Sequence, residues 1–96
     1  MNLPHPKGLP STVSVPDDVL WQQVEERVVL LDVNAGQYHA LNDVGSRMWT
    51  LLLESADVAT AYESLRAIYD VDDDRLRGDL AAFIAILVET DLLAAA

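Results

Sequence analysis

Residue types that carry catalysis are few in this chain, and they are scattered. Its two histidines, His5 and His39, stand far apart, and neither has a second ligand at metal-binding spacing. None of the five serines lies in a Gly-x-Ser-x-Gly turn, and no serine–histidine–aspartate set can be placed. Cysteine is absent, which removes disulfides, thiolate nucleophiles and thiolate metal sites together. The acid-rich "DVDDD" (70–74) lacks the glycine and closing glutamate of a calcium loop, so it reads as the solvated start of a helix. The four glycines build no phosphate-cradling loop. The expectation is a protein without enzymatic activity, metal or cofactor. What the chain concentrates is different: "GQYHALNDVGSRMW" (36–49) joins a strand-like run to a helix-like one at a single junction.

The elements that position this junction follow from periodicity. Residues 1–16 hold all four prolines (Pro4, Pro6, Pro10 and Pro16) and the only lysine, and proline forbids both helix and interior strand. This stretch is expected to be a flexible arm, with 17–96 as one folded domain. Within the arm, "TVSV" (12–15) is strand-like and could pair with a sheet edge, in the same chain or in a second copy. Three runs rich in β-branched and aromatic residues follow at 19–24, 27–33 and 37–41, separated by "EE" and by "NAG", where Gly36 can take the positive φ of a tight connection. They predict a three-stranded antiparallel meander, its last strand at an edge.

After Leu41 the hydrophobic period changes from two to 3.6. Asn42 caps a helix expected over 43–54, and Gly45 lets that helix begin close against the sheet. A second helix fits 57–69, capped by Ser55 or Asp57, and a third runs from 74 to 90 with Leu76, Leu80, Phe83, Ile84 and Leu87 on one side. Trp21 and Trp49 are expected in the core. The fold class is therefore α+β, a three-stranded antiparallel sheet followed by three helices.

Length and charge bound the partners. With 96 residues and 51% hydrophobic composition there is material for one core. Sixteen acidic residues against six basic ones give a formal net charge of -10, a field that repels nucleic-acid phosphate and anionic membranes. The longest apolar run, "LAAFIAILV" (80–88), is about half the ~20 residues of a bilayer crossing. No basic-then-apolar secretory signal opens the chain, so a cytoplasmic location is expected.

The order G-x-Y-x-x-L-N, then a helix with a tryptophan, then "DLAAFIAILVETDLL" resembles the PqqD-like family, small domains that recognise precursor peptides in ribosomally made, post-translationally modified peptide pathways. Gly36, Tyr38, Leu41, Asn42, Gly45 and Trp49 carry the resemblance, with Asp79-Leu80 and Leu92-Leu93 matching the closing helix; it covers about 17–93. Within the family, "VVLLDVNAGQYHALN" is more similar to the stand-alone chaperones of lasso-peptide clusters than to the pyrroloquinoline-quinone member.

The resemblance implies a winged helix-turn-helix fold. It also implies a non-catalytic function, binding the leader of a precursor peptide by strand addition and presenting it to a modifying enzyme or leader peptidase. Carried onto this chain, the docking edge falls on Gly36, Gln37, Tyr38, His39, Ala40 and Leu41, and the groove wall on Arg75, Leu76, Asp79, Leu80 and Phe83. Leu80 and Phe83 serve equally well as interior residues, and Arg75 and Asp79, four apart on a helix, could simply pair.

Two other classes compete. A winged-helix DNA regulator needs a basic reading helix, and the helical half offers only Arg47, Arg66, Arg75 and Arg77 as cations. An acidic carrier protein is echoed faintly by "YESLRAI" (62–68), but Ser64 falls inside a helix and the strands have no place in that fold. Homodimers through the free edge or the N-terminal arm are a further expectation.

Overall fold

The computed structural model describes residues 9–96; His5 and Lys7 lie outside them. Eight elements follow one another: β1 (Val13–Ser14), β2 (Val19–Val24), β3 (Arg27–Asp32), β4 (Gln37–Ala40), α1 (Asp43–Glu54), α2 (Val58–Ile68), α3 (Asp73–Glu89) and β5 (Ala94–Ala95). Strands β2, β3 and β4 form the expected antiparallel meander in sequence order, and the three helices begin and end within a residue of their expected positions.

The meander alternates. Val19, Val28 and Leu30 point to the helices and are buried, whereas Leu20, Val24 and Tyr38 point away and are exposed. Two turns make it. At Glu25 the chain adopts φ 60 without a glycine, and at Gly36 it adopts φ +65, where the amide donates to the Asp32 carbonyl at 2.8 Å and the Asp32 side chain accepts from Ala35 N–H at 3.1 Å. Gly36 thus serves the turn and lies outside the strand.

The core has two lobes. Met48, Leu52, Ala61, Leu65, Leu76, Leu80 and Ile84 pack the three helices together. Val19, Val28, Leu30, Trp49, Leu87, Leu92 and Leu93 pack the sheet against α1, α3 and the tail. Phe83, Val88 and Val13 touch both lobes. Trp49 is fully buried as expected, while Trp21 leans edge-on against it, ring centroids 5.8 Å apart, and remains 41% exposed.

The arm expected to be flexible through residue 16 is fixed from residue 9 onward. β1 pairs antiparallel with β5 of the same chain, Val13 opposite Ala95. The Ser11 amide donates to the Ala96 carbonyl (3.0 Å), the Ala96 amide to the Thr12 carbonyl (2.9 Å), and the Val58 amide to the Ser11 carbonyl (2.9 Å). Prolines forbid a helix here but not an extended ribbon, and Val13 and Val15 alternate inward onto the core. The pairing foreseen for "TVSV" is made here within the chain.

Side-chain caps start the first two helices. Asn42 Oδ1 accepts from the Gly45 amide, and Asp57 Oδ1 from the Thr60 amide, both at 2.8 Å. Arg66 of α2 donates to Asp73 (2.9 Å) and Glu63 (3.0 Å), tying α2 to the start of α3. Hydrogen bonds from Thr60, through its side chain first and its backbone second, hold the Asp57 carboxyl below its ordinary 3.8. The unfolded state therefore binds its proton first as pH falls, and the cap stabilises fully above 3.8 and is lost as pH drops through the lower folded value. Asp57→Ala is expected to lower the melting temperature at pH 7, with the deficit narrowing below pH 3.8; calorimetry across pH checks it.

Candidate peptide-docking site

At the junction singled out in the sequence, one buried serine organises the backbone. Ser46 Oγ accepts the Val28 amide (2.8 Å) and its hydroxyl donates to the Leu41 carbonyl (3.3 Å), while the Leu41 amide reaches the Val28 carbonyl (2.9 Å). Val28 and Leu41 are thus a bonded strand pair in which α1 has replaced one of the two bonds with a side chain. Arg27 adds a donor to the same Leu41 carbonyl at 3.1 Å. Sheet and helix become one rigid corner.

This pair fixes which way every amide of β4 points. Antiparallel partners alternate between pairs that exchange hydrogen bonds and pairs that do not. Since Leu41 bonds to Val28, the register makes His39–Leu30 and Gln37–Asp32 the other bonded pairs, and leaves Tyr38 opposite Leu31 and Ala40 opposite Val29 unbonded. The contact of the Val33 amide with the Asp18 carbonyl independently turns Val29 and Leu31 toward β2. The N–H and C=O groups of Tyr38 and Ala40 therefore face outward from a strand that has no neighbour on that side among the described residues.

Beside this edge runs an open groove of about 470 Å³ between the end of β4, the first turns of α1 and one face of α3. Leu41, Val44 and Gly45 form one wall, and Asp79, Ala82, Phe83 and Ile86 the other. Gly45 sets its depth, because a Cβ there would come within 3.2 Å of Phe83 Cε1. Val44 and Ile86 are apolar yet 46% and 59% exposed, so they are available to a ligand.

The expected site residues divide accordingly. Tyr38, Ala40, Leu41, Asp79 and Phe83 come together at the edge and groove, while Gln37 and His39 spend their backbone groups on β3. Gly36 belongs to the turn. Leu76 and Leu80 do not form the groove wall: they are 4% and 0% exposed inside the helical lobe. Arg75 is exposed and outside the groove lining, and it makes no ion pair with Asp79.

Sequence reasoning missed Val44, Ala82 and Ile86. The signal was present: α3 carries two apolar stripes, 76/80/84/87 for the core and 82/83/86 one position round the helix, and the second exceeds what the core can use.

The remaining surface offers less. Among the described residues no group of histidine, aspartate and glutamate is arranged to hold a metal, and no helix is long and apolar enough to cross a membrane. A larger recess of about 580 Å³ lies near Gln23 of β2, the sheet's other edge strand, and Glu26, Asp43, Arg47, Glu54 and Tyr69, and its lining is mostly polar. On its outer face the sheet exposes a contiguous apolar patch formed by Leu20, Val24, Val29, Leu31 and Tyr38.

Fold and site together define a small winged helix-turn-helix domain whose sheet edge lies open above an apolar helix groove. Residues 27–93 match the profile of coenzyme PQQ synthesis protein D (PqqD), and the chain belongs to that family. Among solved structures it is similar to TbiB1 in complex with the TbiA(beta) leader peptide, at 34% identity and TM-score 0.77, over 82% of this chain and 92% of that one. It is also similar to a lasso peptide synthetase B1 complexed with the leader peptide, at 26% identity and TM-score 0.77, over 85% of this chain and 96% of that one. A search of curated protein sequences gave no match.

The two stripes of α3 respond oppositely to truncation. Leu80→Ala, inside the core, is expected to cost about 2–5 kcal/mol, whereas Ile86→Ala should stay within about 0.5 kcal/mol of wild type, both read from urea unfolding.

Proposed function

We propose that this protein is a non-catalytic chaperone that captures the leader segment of a ribosomally made precursor peptide by strand addition and presents it to a modifying enzyme or leader peptidase, as in lasso-peptide biosynthesis. The observation that carries the reading is the outward N–H and C=O groups of Tyr38 and Ala40 on an unpaired edge beside an apolar groove. Both similar structures hold a leader peptide.

The mechanism follows from strand geometry. An extended peptide laid against β4 exchanges backbone hydrogen bonds with Tyr38 and Ala40, which gives affinity that is indifferent to sequence. Alternate side chains of the guest point to opposite faces of the enlarged sheet. One set enters the groove between Val44, Phe83 and Ile86, where burial discriminates among leaders. The other set extends the outer apolar face that already carries Leu20, Val29, Leu31 and Tyr38. Exposed apolar patches of this kind mark protein partners, which supports delivery to a second protein. Catalysis is then the partner's task, and a net charge of -10 disfavours the alternative use of the same fold on DNA.

Proline substitution separates binding from folding on neighbouring residues. Ala40→Pro removes an outward donor and should abolish binding of the leader encoded in the protein's own gene neighbourhood, with the circular dichroism spectrum retained. His39→Pro removes a donor that bonds to Leu30 and should unfold the edge. Calorimetric titration with the synthetic leader, alongside thermal melts, reads both; binding that survives Ala40→Pro would contradict strand addition at this edge.

A further inference from the structure

Within the groove one side chain does not match its surroundings. The wall contributed by α3 consists of Asp79, Ala82, Phe83 and Ile86, and the facing wall has Leu41 and Val44, so Asp79 is the single ionisable group of an otherwise apolar and amide-lined channel. Among the described residues it has no cationic partner. The ion pairs among the described residues join Arg27 to Asp43 and Arg66 to Glu63 and Asp73, and Arg75, one turn before Asp79, is not its partner.

A carboxylate in this position is comfortable only while water reaches it. When an extended peptide closes the groove, the side chain above Asp79 displaces part of that water. An apolar occupant leaves the charge poorly solvated, whereas a cation restores its partner in a less polar setting than bulk solvent. The protein's net charge of -10 adds a field of the same sign, favouring cationic guests on approach as well as on docking.

The spacing of α3 tells where along the guest the cation belongs. Ile86, Phe83 and Asp79 lie along the helix at ~1.5 Å per residue, about 10 Å from first to last. Groove-facing side chains of a strand recur every second residue, ~6.7 Å apart, so three of them cover ~13 Å. For a guest strand running along α3 the two lengths differ by about 3 Å, a gap that leaning side chains span. Resting on the leader-docking reading above, we infer that Asp79 is a specificity residue that selects peptides carrying a lysine or arginine two residues from the apolar side chain seated on Phe83 and four from the one seated on Ile86.

The test is a selection that needs no knowledge of the natural leader. A displayed library of random dodecapeptides is panned on the full chain as wild type, as Asp79→Lys and as Asp79→Asn, with Ala40→Pro identifying binders that need the strand edge. Asp79 is exposed, and the asparagine variant keeps its size should the lysine variant fold poorly. The expected result is edge-dependent binders with an apolar-x-apolar-x-basic pattern, in one chain direction, on wild type. The basic position should be lost on Asp79→Asn and become acidic on Asp79→Lys. For the best wild-type binder, replacing its lysine or arginine by alanine should weaken binding about fivefold to wild type and leave binding to Asp79→Asn unchanged. Edge-dependent binders without that basic preference overturn this inference and leave leader docking standing. Failure to recover any edge-dependent binder overturns both.

Discussion

A single hydroxyl holds the site in place. Ser46, buried in the first turns of α1, takes the amide of Val28 that the partner strand would otherwise satisfy, and returns a hydrogen bond to the Leu41 carbonyl. Through it the last bonded pair of the sheet is shared between a strand and a helix. Two consequences follow from the geometry: the chain leaves the sheet at Leu41 with Asn42 already in capping position, and the parity of β4 is set so that Tyr38 and Ala40 turn their backbone groups outward. An edge left open to solvent invites uncontrolled pairing in most proteins. Here it is short, only Gln37–Ala40, and lies beside the groove lined by α1 and α3.

Rigidity and selectivity are divided between elements. On the proposed reading, the backbone edge contributes bonds that any extended peptide can make, while α3 supplies the side chains that tell one peptide from another. α3 can do so because its buried stripe, Leu76, Leu80, Ile84 and Leu87, anchors it in both lobes of the core and frees the adjacent stripe for the groove. Phe83 belongs to both surfaces: it touches each lobe and lines the channel over Gly45. The ribbon of β1 on β5 ties the N-terminal strand to the tail, and among the described residues no strand pairs with the outer edge of β4.

Much of this was legible in the sequence because local rules and tertiary needs agree there. The "NAG" turn, the Asn42 cap, the change of period after Leu41 and the G-x-Y-x-x-L-N resemblance all pointed to a strand edge feeding a helix. What was not legible depends on rotation or on distant partners. A helix with two neighbouring apolar stripes does not declare which one meets the core, and so Leu76 and Leu80 were expected at the groove while Ile86 was overlooked. Proline content marked residues 9–16 as non-helical but said nothing of the tail strand waiting for them. Ser46 carried no signal at all, since a serine on a helix face gains its role only when a strand amide arrives above it.

Hydrogen exchange at individual amides, followed by NMR with and without the leader peptide, tests strand addition most directly. In the free protein the His39 amide should already be protected by Leu30, and those of Tyr38 and Ala40 should exchange freely. Adding leader should slow Tyr38 and Ala40 sharply and leave His39 nearly as it was. Saturating leader with Tyr38 and Ala40 still exchanging freely, or protection of both before any peptide is added, would contradict docking at this edge.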